Sequence, residues 1–190
     1  MAEPEGNIDP DPVHEVNRNS NVLEVVHPPF NPGEPVREDE FTSISEETFK
    51  RAEWKPQAAA SIQALALSYY WALSTGQIDE ILGLMSERQK RRKLAEIETF
   101  GVDVLSNQFT KAMGSIDEYT IKCVQMLPRS NLIVARVAHK AVDGRIRTEY
   151  LALIKEAGTW RIDGQRGELV YYHSVGRLPS HEDLAKLLCP

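Results

Sequence analysis

The sequence predicts an α+β fold in which helices come first and an antiparallel meander of strands follows. Three observations lead there. Between residues 56 and 113 apolar side chains recur every three or four positions, the period of a helix with one buried face. From Tyr119 the period drops to two over the runs Tyr119–Leu127, Asn131–Val142 and Arg145–Glu156, which are rich in β-branched residues. The breaks between these runs, Pro128-Arg129-Ser130-Asn131 and Asp143-Gly144, are short turn sequences, and strands joined by such turns must pair antiparallel.

Residues 1–42 form an acidic, proline-rich arm. Seven of the eleven prolines fall within the first 35 residues, and proline both removes a backbone donor and pushes its predecessor out of helical geometry, so the arm is expected to be disordered or extended. Its one apolar island is Asn21-Val22-Leu23-Glu24-Val25-Val26. The folded domain is expected over residues 43–167. Ser43-Ile44-Ser45-Glu46 has capping-box spacing, which predicts a short helix to about Glu53. Pro56 suits the first turn of a second helix, in which Ile62, Leu65, Tyr69 and Leu73 share a face and Ser74-Thr75-Gly76 makes the end. Ile78, Ile81, Leu82 and Met85 mark a third helix. Glu87 to Phe100 reads as a charged helix with only Leu94, Ile97 and Phe100 to bury, and helix continues from Val104 to Met113. After the three strand runs, Ala157-Gly158 turns into a further strand around Trp160. Residues 168–190 form an extension, with an apolar run at Leu169–Tyr172 and a short final helix capped near Ser180.

Composition narrows the function classes. No apolar stretch approaches the ~18 to 20 residues of a membrane-spanning helix, and the first 30 residues lack the basic-then-apolar order of a secretory signal. The chain is therefore expected to be soluble, either cytoplasmic or exported with a leader absent from this sequence. The net charge of -6 conceals an asymmetry: residues 1–47 hold twelve acids against two bases, whereas the remainder holds sixteen acids against twenty bases. The basic run Arg88-Gln89-Lys90-Arg91-Arg92-Lys93 spreads around a helix without interleaved aromatics, which reads as a solvated face or a site for an acidic partner, not as a nucleic-acid interface. Neither Cys123 nor Cys189 lies in a metal-binding or redox motif; Cys123 reads as a buried apolar thiol, with a disulfide between the two as the alternative. No phosphate-binding loop, nucleophile motif or histidine spacing suited to a metal occurs, so no cofactor and no metal is expected.

Helices followed by a long meander ending in Gly158-Thr159-Trp160-Arg161-Ile162-Asp163, with Tyr69-Tyr70-Trp71-Ala72-Leu73-Ser74-Thr75-Gly76-Gln77-Ile78-Asp79-Glu80 at the end of the main helix, resembles the nuclear transport factor 2-like superfamily over roughly residues 56–165. That superfamily also contains ketosteroid isomerase and the polyketide cyclases. The resemblance implies a cystatin-like cone: helices packed in the concave face of a curved antiparallel sheet, with a pocket at the open end. It also implies dimerisation through the sheet, for which apolar residues on both strand faces, such as Val134 opposite Ile133 and Val137, give a second motive.

The residues expected to line a pocket are Tyr69, Gln125, His139, Tyr150 and Trp160, chosen because tyrosine and tryptophan combine apolar area with one polar handle and because His139 shares a strand face with Ile133, Ala135 and Val137. No catalytic residue is assigned. Enzymes of this fold need an inward carboxylate, and Glu149 is the only acid at mid-strand; Arg145 and Arg147 on its face suggest solvent or an ion pair. The preferred reading is a non-enzymatic module that binds a small apolar ligand or a protein partner. The alternative is a small isomerase, dehydratase or cyclase acting on an apolar substrate in the cone. A carboxylate or a histidine–acid pair turned into the cone would favour the alternative, and a cone filled by side chains would favour the module.

Overall fold

The computed structural model describes residues 33–41, 44, 46–126 and 133–165. The apolar island at 21–26, the run at 169–172 and the expected final helix lie outside them. Four helices, α1 (Ile62–Thr75), α2 (Ile78–Gly83), α3 (Glu87–Phe100) and α4 (Val102–Met113), precede four strands, β2 (Ile116–Met126), β3 (Ile133–Ala141), β4 (Ile146–Glu156) and β5 (Thr159–Gln165). A short strand, β1 (Glu47–Lys50), comes before the helices and pairs antiparallel with β2. All neighbours in the five-stranded sheet are antiparallel, in the order β1-β2-β3-β4-β5. The class is α+β, with the helices packed on a curved sheet.

Two elements depart from the sequence reading. Where a helix is expected over 43–53, the chain forms β1 and a single 3₁₀ turn at Arg51–Glu53. Thr48 and Phe49 explain this: the Thr48 hydroxyl bonds the Thr120 hydroxyl at 2.8 Å, and the buried Phe49 ring stacks on Tyr119 with centroids 5.1 Å apart. Cross-strand pairs of this kind outweigh a local capping signal. Helix α1 also starts six residues after Pro56, at Ile62, because Ser61 is the cap: its side chain accepts from the Ala64 N–H at 3.1 Å.

Helix α1 lies across the inner face of the sheet. Its buried residues Ile62, Leu65, Ala66, Tyr69, Tyr70 and Leu73 meet Ile121, Val137, Leu151, Leu153 and Ile162 in one apolar core. The end of α1 is fixed by Gly76, whose φ of 68° is left-handed and whose Cα faces α4 so closely that a Cβ would lie 2.3 Å from the Ser106 hydroxyl. That hydroxyl donates to the Gly76 carbonyl at 2.9 Å. Arg51 caps the far end of α4, donating to the carbonyls of Met113, Gly114 and Ile116.

The last part of the acidic arm belongs to the folded body. Residues 33–41 run beside β4: Glu34 N–H donates to the Lys155 carbonyl at 2.8 Å, the Glu34 carboxylate accepts from Gly158 N–H at 3.0 Å, and Glu40 pairs with Lys155. Gly33, at φ 69°, permits this approach; a Cβ there would sit 2.9 Å from the Lys155 carbonyl oxygen. Phe41 is buried in the core. The arm boundary expected at residue 42 thus moves towards the amino terminus, because Phe41 has an apolar site to fill.

The opposite face of the sheet is also buried in a single chain, at Val134, Tyr150, Ala152 and Ile154. Cys123 sits half-buried on β2 and is disulfide-bonded, so the buried-thiol reading does not hold.

Candidate functional site

Strand alternation brings three polar side chains together on the inner face. His139 of β3 and Glu149 of β4 follow the apolar inner rows Ala135, Val137 and Leu151, Leu153, so the pleat points both at α1. There they meet Tyr70. Its hydroxyl donates to Glu149 Oε2 at 3.1 Å, and His139 Nε2 lies 3.4 Å from the same oxygen. The Tyr70 and His139 rings make an edge contact with centroids 4.8 Å apart. Around them Tyr119, Trp54 and Phe49 build an aromatic wall: Tyr70 and Tyr119 have centroids 4.4 Å apart, and Trp54 stands 5.8 Å from Tyr119.

This environment governs protonation. Burial raises the Glu149 carboxyl to about 7, opposed in part by the Tyr70 hydrogen bond. Burial lowers His139 to about 4, helped by the positive charge of Arg147. Tyr70 is held well above the ordinary phenol value, first by burial and then by the Glu149 charge, so it acts as a donor. At neutral pH the trio is a neutral imidazole, a phenol and a carboxyl close to half ionised. Such a set can accept and return one proton near pH 7. The Tyr119 hydroxyl and His139 Nε2 are buried with no hydrogen-bond partner.

Of the residues expected at the pocket, the structure brings only His139 into this trio. Tyr69 is buried one position away on α1 and faces Met85, Gln89 and Phe109. Trp160 is buried in the core beside Lys155, and its backbone N–H donates to the Ala59 carbonyl at 3.0 Å. Gln125 and Tyr150 pair with Val134 and Arg136 on the opposite face, so neither reaches the inside of the sheet. Glu149, read as solvated or ion-paired because of its arginine neighbours, is turned inward; its side chain is 21% exposed. The signal was present in its alternation with Leu151 and Leu153. Tyr70 could not be singled out from Tyr69 and Trp71 without knowing how α1 is rotated.

Space within the fold is unevenly distributed. Between α1 and the sheet, among Leu65, Ala66, Ile121, Val137, Leu151 and Ile162, only about 10 Å³ is free. A larger cavity of about 360 Å³ lies at one rim of the sheet, lined by Pro35, Val36, Met126, Ile133, Leu153 and Ile154. One further polar site is structural in character. Asp163 is buried and accepts from Ser86 Oγ at 2.6 Å and from Arg88 Nη2 at 2.9 Å, which pins the start of α3 to β5. Among the described residues no group of three or more potential metal ligands occurs, and no helix is long and apolar enough to cross a membrane. In comparisons with protein-family models, curated proteins and solved structures, the chain matches none.

Proposed function

We propose that this chain is a binding module of the nuclear transport factor 2-like fold, which takes a small apolar ligand at the rim cavity beside residues 33–36. The observation that carries this reading is the contrast in free space: the gap between α1 and the sheet holds about 10 Å³, whereas the rim holds about 360 Å³ behind mainly apolar walls that also include Glu34. Cavities of a few hundred Å³ with mainly aliphatic linings are typical of small-molecule sites. The test is thermal-shift screening of the purified chain against small apolar compounds. A ligand that raises the melting temperature is expected, and Val36→Trp, which fills the cavity from its edge, should abolish that rise. A set of such compounds that never alters the melting temperature would sink the reading.

A second reading rests on the Tyr70–Glu149–His139 trio, whose proton-accepting carboxylate and donating phenol are the groups an isomerase, dehydratase or cyclase requires. Its test is turnover of enolisable or β-hydroxylated ketones. Loss of that turnover in Glu149→Gln, with the fold intact, would establish catalysis and displace the first reading.

A further inference from the structure

We propose that helix α3 is a self-association surface, pairing antiparallel with α3 of a second copy of this chain about a two-fold axis between Leu94 and Ala95. The proposal is independent of the ligand site. Helix α3 runs for fourteen residues with Gln89 alone buried. Of its partly covered positions, Lys93, Glu96 and Ile97 lie on the side of Gln89, and Arg88 and Lys90 flank it. At 100° per residue, the opposite side carries Glu87, Arg91, Leu94, Ala95 and Glu98, all exposed, with Leu94 at the centre 40% exposed.

Charge along α3 is sorted. Lys90, Arg91, Arg92 and Lys93 occupy the first half, and Glu96 and Glu98 the second. Apart from Glu87 in the first turn, this is the reverse of what the helix macrodipole favours, which is acids near the first turn and bases near the last. Lys93 pairs with Glu96, but among the described residues the Arg91 and Glu98 side chains have no hydrogen bond or ion pair. They stand two turns apart on the same face. An antiparallel copy centred between Leu94 and Ala95 sets Arg91 opposite Glu98 of the second copy, and Glu98 opposite its Arg91. Each Leu94 then rests on an Ala95, a residue small enough to admit it. The symmetry is isologous, as a closed dimer requires.

A single helix pair belongs to the small, weak class of interfaces, below about 1,200 Å² in total, so the dimer is expected to form at micromolar or higher concentration and to weaken with salt. The experiment is sedimentation of the full chain from about 1 to about 500 µM, a range that brackets weak association. The wild type is expected to show a monomer–dimer equilibrium. Arg91→Glu and Glu98→Arg should each weaken it at least about tenfold, and the double variant Arg91→Glu/Glu98→Arg should recover to within about threefold of wild type. Both positions are exposed, and circular dichroism checks that the variants fold. Three results would overturn the proposal. They are a monomer at every concentration, a dimer that neither single reversal affects, which would favour pairing through the sheet, and a dimer lost on deleting residues 1–32, which would make the acidic arm the occupant of α3.

Discussion

The Tyr70 hydroxyl, from the middle of α1, donates to Glu149 on β4 at 3.1 Å, which ties the main helix to the sheet through a partly buried hydrogen bond across 79 positions of sequence. His139 Nε2 stands 3.4 Å from the same carboxylate oxygen without hydrogen-bonding it.

This arrangement makes opposing contributions to stability as pH changes. His139 is near 4 when folded and 6.5 when free, so the folded chain binds fewer protons between those values and stability rises with pH there. Glu149 is near 7 when folded and 4.5 when free, so its contribution is present below pH 4.5 and is lost as pH rises through 7. Each slope amounts to about 3 kcal/mol, and over the shared window they nearly cancel. Urea unfolding of the wild type at several pH values should thus give an almost flat profile between about 4.5 and 6.5. Glu149→Gln should leave the rising slope alone, and His139→Gln the falling one. Identical flat profiles in all three proteins would refute the assignment.

Trp160→Ala removes a buried indole from the core and should cost about 3 to 5 kcal/mol whatever the protein binds. Denaturant unfolding measures this. A variant of wild-type stability would mean that the indole does not pack as described.

Arg88→Ala strands the buried Asp163 carboxylate with Ser86 as its remaining side-chain donor, a loss expected near 3 kcal/mol or more. Removing both charges, in Arg88→Ala/Asp163→Ala, should recover part of that loss, because the desolvated carboxylate is gone. A double variant less stable than Arg88→Ala would show that the pair is net stabilising by itself.

Phe41 gives a measurable end to the acidic arm. Phe41→Ala should destabilise by about 3 to 5 kcal/mol, and truncation through residue 41 by at least as much. A melting temperature unchanged by truncation through residue 41 would instead show that residues 33–41 merely rest on the body.

The meander was legible because β-branched alternation and turn sequences are local signals; Asp143-Gly144 and Ala157-Gly158 both mark the strand connections found. The charged helix from Glu87 to Phe100 was read to its ends, since Ser86 caps it and Gly101 follows it. Strand β1 was not legible, for its partner lies some seventy residues away and the nearer capping signal at Ser43–Glu46 pointed to helix. The site suffered from the same limit. Alternation placed His139 and Glu149 on one face each, but only the register, with Val137 opposite Glu149 and Arg147 opposite His139, makes them neighbours. Gln125 was misplaced because an irregularity in β2 between Ile121 and Cys123 shifts the alternation beyond it.

The loop between α2 and α3 lies along the outer side of β5, where Ile162 N–H donates to the Leu84 carbonyl and Ser86 N–H donates to the Ile162 carbonyl, each at 2.9 Å. That margin of the sheet therefore offers few unpaired groups to a foreign strand. The other margin is β1, only four residues long and bearing Glu47 and Lys50. Short, charged margins resist templated addition of strands. The fold thus guards itself against fibrous growth at both ends of its sheet, by a covering loop on one side and by brevity and charge on the other.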